Sequence, residues 1–129
     1  MNHLTNKSNG VTVIIGASPN PKRYAFLAAE LLQRYGHEFV LIGMRGGEAF
    51  GKDIQKISSQ PSLPNVDTVT LYIRPELQQQ WADYILSLQP KRIIFNPGTE
   101  NLEFERQVED AGIEAIQACT LVMLKTNQY

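Results

Sequence analysis

Residues 11–35 constrain the fold of this 129-residue chain more than any other stretch. The segment begins with Val11 to Ile15, a run rich in β-branched residues in which polar and apolar positions do not alternate. Such a run is typical of a parallel strand that is buried on both faces. A turn of small residues follows, and apolar residues then recur at steps of three and four over residues 24–35. The pattern predicts a central strand, a turn, and a helix that lies on the sheet.

The turn after this strand has the composition of a phosphate-binding loop. Gly16, Ala17 and Ser18 have little side chain, so a ligand could approach the backbone closely. The predicted helix directs its N-terminus at this turn, and a helix N-terminus offers N–H groups to an anion. Lys22 and Arg23 stand at the same end, where cations oppose the helix dipole unless an anion lies between them. We therefore expect a phosphate to bind here; the alternative is that both cations are merely solvated.

The length fits a single domain, residues 11–129, preceded by a flexible N-terminal arm at residues 1–10. A net charge of −1 argues against general nucleic-acid binding. The single cysteine, Cys119, excludes an internal disulfide, and no apolar run is long enough for a signal peptide or a membrane span. We expect a cytoplasmic protein that binds neither nucleic acid nor membranes. The sequence leaves open a homo-oligomer or an unknown protein partner.

The rest of the chain alternates strand and helix patterns. The further predicted strands cover residues 38–43, 67–73, 92–95 and 113–116. Pro75 suits the first turn of one intervening helix, and Asn101 suits the N-cap of another. A glycine-rich loop and then an irregular crossover at residues 54–66 are expected after the second strand. The order predicts an α/β fold with a Rossmann-like, doubly wound parallel sheet of about five strands in three α/β/α layers.

Residues at the strand ends distinguish between nucleotide-binding folds. A dinucleotide dehydrogenase has G-x-G-x-x-G after its first strand, whereas here Ser18 and Pro21 replace the second and third glycines. Such an enzyme also has an acidic residue after its second strand, where it holds unphosphorylated ribose. Arg45 stands in that region instead and suits a phosphorylated ribose, as in NADP or coenzyme A.

A second glycine-rich segment matches the spacing of a phosphate-binding P-loop. Gly46, Gly51 and Lys52 stand at the required positions, but Asp53 replaces the Ser or Thr that would ligate magnesium. We therefore give the P-loop interpretation little weight.

Five short motifs follow the predicted strands in order: GASPNPKRYA, LIG with Arg45, LYIRPE, FNPGTEN, and QACT near the end. Together they resemble the small stand-alone CoA-binding domain family, relatives of the CoA-binding domain of succinyl-CoA synthetase α subunits. The resemblance spans residues 11–124. It implies a Rossmann-like sheet with CoA lying across the carboxyl ends of the strands. One departure from the family pattern is Asn96-Pro97, where the fourth strand of relatives often carries Gln.

The resemblance also implies a set of ligand-binding residues by position. The phosphates would be held by Gly16, Ala17, Ser18 and Arg23, with Lys22 as a helper. The adenosine end would be flanked by Met44 and Arg45. The middle of the groove would be lined by Ile73, Arg74 and Pro75, and the pantetheine side by Gly98, Thr99, Glu100 and Asn101.

The sequence contains no strong catalytic constellation. His3 lies in the arm, and His37 lies in a turn at the opposite end of the predicted sheet. Glu100 and Cys119 lie at the ligand edge, but such residues more often serve as a dipole partner and as a packed thiol. We expect a CoA or acyl-CoA binding module with a sensor, carrier or regulatory role, with neither metal nor chemistry of its own. The alternative is a small NADP-dependent or CoA-processing enzyme that uses Glu100 or Cys119.

Overall fold

Seven strands form one sheet in the computed structural model, which describes residues 10–129. The strands are β1 (Val11–Ile15), β2 (Phe39–Gly43), β3 (Gly47–Ala49), β4 (Lys52–Lys56), β5 (Val66–Leu71), β6 (Arg92–Phe95) and β7 (Glu114–Gln117). The helices are α1 (Tyr24–Arg34), α2 (Pro75–Ser87), α3 (Leu102–Asp110) and α4 (Thr120–Lys125), with a 3-10 turn at Ile57–Ser59. The predicted flexible arm lies outside the described residues, apart from Gly10.

The strand order is β3-β4-β2-β1-β5-β6-β7. All neighbouring strands are parallel except β3, which runs antiparallel to β4 at one edge. Without β3, the parallel strands have the order of two βαβαβ halves that meet at β1 and β5, which is the order of doubly wound nucleotide-binding folds. The predicted Rossmann-like α/β fold is therefore confirmed, with seven strands rather than about five.

The two additional strands form a hairpin where we expected a loop and an irregular crossover. Ala49 pairs with Lys52, so the hairpin loop has only two residues, Phe50 and Gly51. Both have positive φ, 55° and 72°, as in the type I′ turn that matches strand twist. The sequence did not predict this hairpin because Phe is unusual at positive φ. In addition, Ile54 is the only buried residue of β4, so the strand lacks an apolar pattern.

Helices cover both faces of the sheet. Val13 and Ile15 pack on one side with Phe104 of α3, whereas Ile14 packs on the other side with Leu32 of α1. Consecutive residues of β1 are therefore buried in different clusters, which explains why this strand has no polar face. Within residues 10–129, no helix has both the length and the apolar composition to cross a bilayer.

The predicted helix signals are confirmed. Helix α1 begins at Tyr24, and Pro75 is the first residue of α2. Asn101 caps α3, because its side chain accepts a hydrogen bond from the Phe104 N–H at 3.2 Å. The apolar tail forms α4, and Leu124 is buried in the cluster that also contains α1 residues. The tail therefore completes the layer that α1 begins.

Tyr84 of α2 forms a hydrogen bond with the segment that connects β4 to β5. Its hydroxyl donates a hydrogen bond to the Pro61 carbonyl at 2.7 Å. Burial raises the pKa of Tyr84 from 10.0 to about 12. The native state therefore holds a proton that the unfolded chain releases above about pH 10. The stability that Tyr84 contributes is complete below about pH 10 and is lost as the pH rises through about 12.

We expect the free energy of unfolding to fall more steeply between about pH 9 and pH 11 in the wild type than in Tyr84→Phe. Urea denaturation followed by circular dichroism at both pH values measures the difference. Tyr35→Phe is the matched control, since Tyr35 is 40% exposed. Equal pH dependence in the wild type and Tyr84→Phe would contradict this prediction.

Candidate functional site

Strands β1 and β5 end side by side at the centre of the carboxyl edge of the sheet. The chain leaves β1 through α1 toward β2 on one side, and it leaves β5 through α2 toward β6 on the other. The loops after these two strands therefore diverge, and a crevice at such a switch point is where open α/β sheets bind ligands. The Tyr72 N–H donates to the Ile15 carbonyl at 2.7 Å, so the two strands stay paired up to the crevice.

The structure places every group of predicted ligand-binding residues at this edge. Residues 16–18 and 73–75 follow the two central strands, residues 44–45 follow β2, and residues 98–101 follow β6. Lys22 and Arg23 precede α1. These side chains differ in their exposure to solvent. Ile73 and Thr99 are only 4% and 5% exposed, whereas the four cationic side chains are exposed: Lys22, Arg23, Arg45 and Arg74. Ile73 and Thr99 thus shape the edge chiefly through their backbone.

Gly16 has two structural reasons to be glycine. Its φ is +104°, a conformation that side chains rarely adopt. A methyl group at Gly16 would also lie 2.8 Å from the carbonyl carbon and oxygen of Tyr72. The N–H groups of Gly16 and Ala17 both donate to the Ile42 carbonyl, at 2.8 and 2.9 Å. We expected the small residue to leave room for a ligand, and the backbone of Tyr72, directly after β5, is a further reason for glycine here.

Hydrogen bonds within the loop set the path from Ser18 to α1. The Ser18 hydroxyl accepts from the Asn20 N–H at 3.1 Å, and the Asn20 side chain accepts from the Lys22 N–H at 3.0 Å. Arg23 occupies the N-cap of α1 without a side-chain cap, and the first turn contains no acid. Helix α3, by contrast, is capped by Asn101. The N-terminus of α1 thus reaches the edge without a side-chain acceptor, which suits an external anion.

The end of β2 is shaped by a close backbone contact. A methyl group at Gly43 would lie 2.6 Å from the Ala17 carbonyl oxygen, so only glycine lets the loop after β1 lie across β2. Met44 is 42% exposed, and Arg45 is exposed as well. No described residue forms an ion pair with Arg45. An apolar side chain and a free guanidinium therefore stand together at the side predicted for adenosine.

Gln78 of α2 joins the loops on the other side of the crevice. It is fully buried, and its amide donates to the Ile73 carbonyl at 2.9 Å and to the Thr99 carbonyl at 2.8 Å. Its side-chain oxygen accepts from the Asn101 amide at 3.1 Å. One buried amide thus fixes the loop after β5 against the loop after β6. The sequence did not indicate Gln78, because one Gln among three in a helix carries no distinguishing signal.

Asn96 forms a second buried brace at the end of β6. Its amide nitrogen donates to the Thr70 hydroxyl at 2.7 Å and to the Leu71 carbonyl at 2.9 Å. Its side-chain oxygen accepts from the Thr120 N–H at 2.9 Å, and its carbonyl accepts from Thr99. Asn96 is 1% exposed. It therefore connects β5, the loop after β6 and the start of α4, and its amide groups are fully engaged.

The Glu100 side chain forms a hydrogen bond within its own loop. Its carboxylate accepts a hydrogen bond from the Gly98 N–H at 2.9 Å. The next residue, Asn101, donates its own N–H to the Glu105 carboxylate at 3.0 Å. These two bonds hold the loop at the start of α3. They give Glu100 a structural partner within the loop.

Tyr72, directly after β5, has a buried hydroxyl group. The group is buried and has no hydrogen bond of good geometry, although the hydroxyls of Thr70 and Thr120 lie nearby. Burial raises the pKa of Tyr72 well above its ordinary value, and nearby Cys119 raises it further. Tyr72 therefore stays protonated at physiological pH. Cys119 itself is half-buried at the N-cap of α4. Among residues 10–129, no group of three His, Cys, Asp or Glu is placed to hold a metal ion.

Comparisons with known proteins agree with this architecture. Residues 11–125 match a family model described as a CoA binding domain. Curated proteins give no significant sequence match. A crystal structure described as an uncharacterized protein has 51% sequence identity and a TM-score of 0.89, over 93% of this chain and 98% of that one.

More distant structures share the fold. A conserved hypothetical protein from Pyrococcus furiosus has 26% identity and a TM-score of 0.77, over 88% of this chain and 97% of that one. Cell-free ID.343 from Thermus thermophilus has 22% identity and a TM-score of 0.82, over 98% of this chain and 93% of its own. The seven-stranded architecture is thus similar to solved structures over nearly the whole length of both chains.

The first prediction from this site concerns Gly16→Ala. We expect it to lower the free energy of unfolding by about 1 to 3 kcal/mol more than Gly112→Ala, because it adds a steric clash with Tyr72 to the conformational strain. Gly112 is the matched control, since its φ is also positive, +80°, but a methyl group there meets no atom within 4 Å. Urea denaturation without ligand measures both changes. Equal losses would show that the contact with β5 is unimportant.

The second prediction concerns Gln78→Leu. We expect a loss of about 2 to 4 kcal/mol in the free energy of unfolding, because two buried carbonyls and one amide lose their partner. Gln79→Leu is the control, since Gln79 is exposed and its side-chain oxygen accepts a long hydrogen bond from the Gln107 amide, at 3.5 Å. The control should change stability by less than about 0.5 kcal/mol. A loss in Gln78→Leu no larger than in the control would contradict the role of this amide.

Proposed function

Because this chain belongs to the CoA-binding domain family, we propose that it binds coenzyme A or an acyl-CoA at the carboxyl edge of its sheet. The observation that carries the proposal is that the family match, residues 11–125, includes every loop of that edge. Residues 11–129 would act together as one binding unit. The resulting site is a crevice between two diverging loops, which is the usual position for a nucleotide in this fold.

The charges and the α1 terminus support a particular orientation of the ligand. The pyrophosphate would lie on residues 16–18 at the uncapped N-terminus of α1, where N–H groups and the helix dipole favour an anion. Arg23 would contact the phosphates, and Lys22 would assist. Both side chains are exposed, and no described residue forms an ion pair with either of them. The anionic centre of CoA would thus meet two cations that have no ion-pair partner among residues 10–129.

The two ends of the ligand would then lie on opposite sides of the crevice. The adenosine would extend toward β2, where Met44 provides an exposed apolar side chain and Arg45 provides a cation. The pantetheine arm would cross residues 73–75 and reach residues 98–101. Gln78 and Asn96 hold these last two segments in place from beneath. A pre-formed groove on this side would reduce the ordering cost of binding a long, flexible arm.

We further propose a sensor, carrier or regulatory role without chemistry of its own. Glu100 is engaged by the Gly98 N–H, and the amide of Asn96 is engaged by buried groups. His37 precedes β2 and so lies at the amino edge, away from the crevice. These arrangements support a site whose polar groups shape the loops rather than act on a substrate.

Arg45 also supports a second candidate from another class. A cation after the second strand fits the 2′-phosphate of NADP as well as the 3′-phosphate of CoA. The second candidate is accordingly a small NADP-dependent or CoA-processing enzyme, in which Glu100 or Cys119 would act on the bound substrate. The two candidates differ in which phosphorylated ribose the protein prefers.

Isothermal calorimetry with CoA, dephospho-CoA, NADP and NAD tests the proposed function. We expect CoA to bind the wild type on the order of tenfold more tightly than dephospho-CoA, since one charge-assisted hydrogen bond is lost. Arg45→Ala should abolish most of that preference while leaving dephospho-CoA binding unchanged. Arg34→Ala is the control, because Arg34 is an exposed cation at the far end of α1.

The outcomes separate the two candidates. Preferential binding of NADP, with no binding of CoA, would reject the CoA module and favour the enzyme. Equal affinities for CoA and dephospho-CoA would show that Arg45 is a solvated loop charge. Native mass spectrometry of the purified protein gives an independent readout, since a retained CoA species supports the proposal directly.

A further inference from the structure

We propose that Lys56, at the end of β4, is a second cation for the ribose phosphate and acts together with Arg45. This inference rests on the proposed function and adds a specificity residue to it. The ligand group is a phosphate monoester on the adenosine ribose, which carries close to two negative charges at neutral pH. A single guanidinium neutralises only part of that charge.

The sheet register brings Lys56 to the adenosine side of the crevice. Strand β4 pairs with β2 in parallel, and Lys56 is the register partner of Gly43. Both strands therefore end at the same level of the carboxyl edge. The residues that follow Gly43 are Met44 and Arg45, so the chain that leaves β2 does so beside the end of β4.

A direct contact places the Lys56 side chain along the same segment. A methyl group built on Gly46 would lie 3.7 Å from Lys56 Cε and 3.9 Å from Lys56 Cγ. The aliphatic part of Lys56 thus runs beside the backbone of Gly46, the residue next to Arg45. This packing leaves the ammonium group near the loop that carries the guanidinium.

The charges of the two residues are otherwise unneutralised. Lys56 and Arg45 are both exposed, and neither forms an ion pair with a described residue. Two neighbouring cations repel each other unless an anion lies between them. A dianionic phosphate at the adenosine end would relieve this repulsion and accept hydrogen bonds from both groups. The structure therefore offers a pair of cations at the position where the ligand would carry its most concentrated charge.

The sequence alone did not indicate a binding role for Lys56. Lys56 belongs to the segment predicted as an irregular crossover, and neither its spacing from Arg45 nor any motif indicates proximity. The β3–β4 hairpin reverses the chain and returns it in parallel to β2. That reversal brings residues 45 and 56 to the same edge.

The test is the affinity of Lys56→Gln for CoA and dephospho-CoA, measured by calorimetry at low salt. We expect CoA to bind roughly three- to tenfold more weakly than to the wild type, with the affinity for dephospho-CoA unchanged, as for an exposed charge pair. Lys56→Arg should retain the preference for CoA. Thermal melting without ligand, with a melting temperature equal to that of the wild type, establishes that the variant is folded.

Lys52→Gln is the matched control. Lys52 lies on the same face of the same strand, since side chains alternate, but about 13 Å away at the opposite end. Its ammonium lies 4.9 Å from the centre of the Phe39 ring, away from the carboxyl edge. Removing this charge should leave the affinity for CoA unchanged, which separates a local contact from a general loss of positive charge.

The possible results distinguish a failure of the Lys56 assignment from a failure of the proposed CoA binding. If Lys56→Gln binds CoA as tightly as the wild type does, the Lys56 assignment is wrong while the proposed function stands. If it weakens CoA and dephospho-CoA equally, Lys56 does not read the ribose phosphate. If the wild type instead discriminates NADP from NAD and ignores CoA, a loss of that discrimination in Lys56→Gln would support the same cation pair on a 2′-phosphate. Failure of the wild type to bind any of these nucleotides would overturn both.

Discussion

The direct pairing of β1 with β5 is the constraint on which the rest of the structure depends. The two strands run parallel over residues 11–15, with one register shift between Val11 and Thr12, and their ends approach so closely that Gly16 cannot carry a side chain. Because the chain leaves them in opposite directions, a crevice opens between the loops. The remaining strands add outward from this pair, and the loop after each parallel strand lies at the same edge. The candidate site is thus a consequence of strand order.

The two halves of the edge are stabilised by different means. On the β5–β6 side, the buried amides of Gln78 and Asn96 satisfy carbonyl and hydroxyl groups that would otherwise be costly to bury. On the β2–β4 side, close backbone contact at Gly43 holds the loops together, and Arg45 and Lys56 are exposed. A half held by buried amides beside a half with two exposed cations supports the proposed orientation of CoA, with its ribose phosphate toward the cations.

The β3–β4 hairpin at the sheet edge positions residues of the candidate site. Neither the strand pattern nor the composition of the sequence indicates this. Phe50 adopts positive φ in its two-residue loop, and its ring packs on Phe26 of α1 with centroids 4.6 Å apart. This contact anchors the hairpin to the helix whose N-terminus faces the crevice. Packing against Phe26 offsets the cost of an unfavourable backbone conformation. The same hairpin turns β4 parallel to β2 and so carries Lys56 to the carboxyl edge.

The sequence by itself determined the α/β order, because apolar strand patterns alternate along the chain with amphipathic helix patterns. It also determined the strand–turn–helix at residues 11–35 and the cap of α3 by Asn101, since these features are local. Tertiary structure alone decided the β3–β4 hairpin, whose short strands contain too few buried residues to form a pattern. It also decided the partners of Gln78 and Asn96, most of which lie 21 to 26 residues away along the chain. Such contacts depend on how strands are ordered in the sheet, and strand order arises from packing across the whole molecule rather than from any single segment.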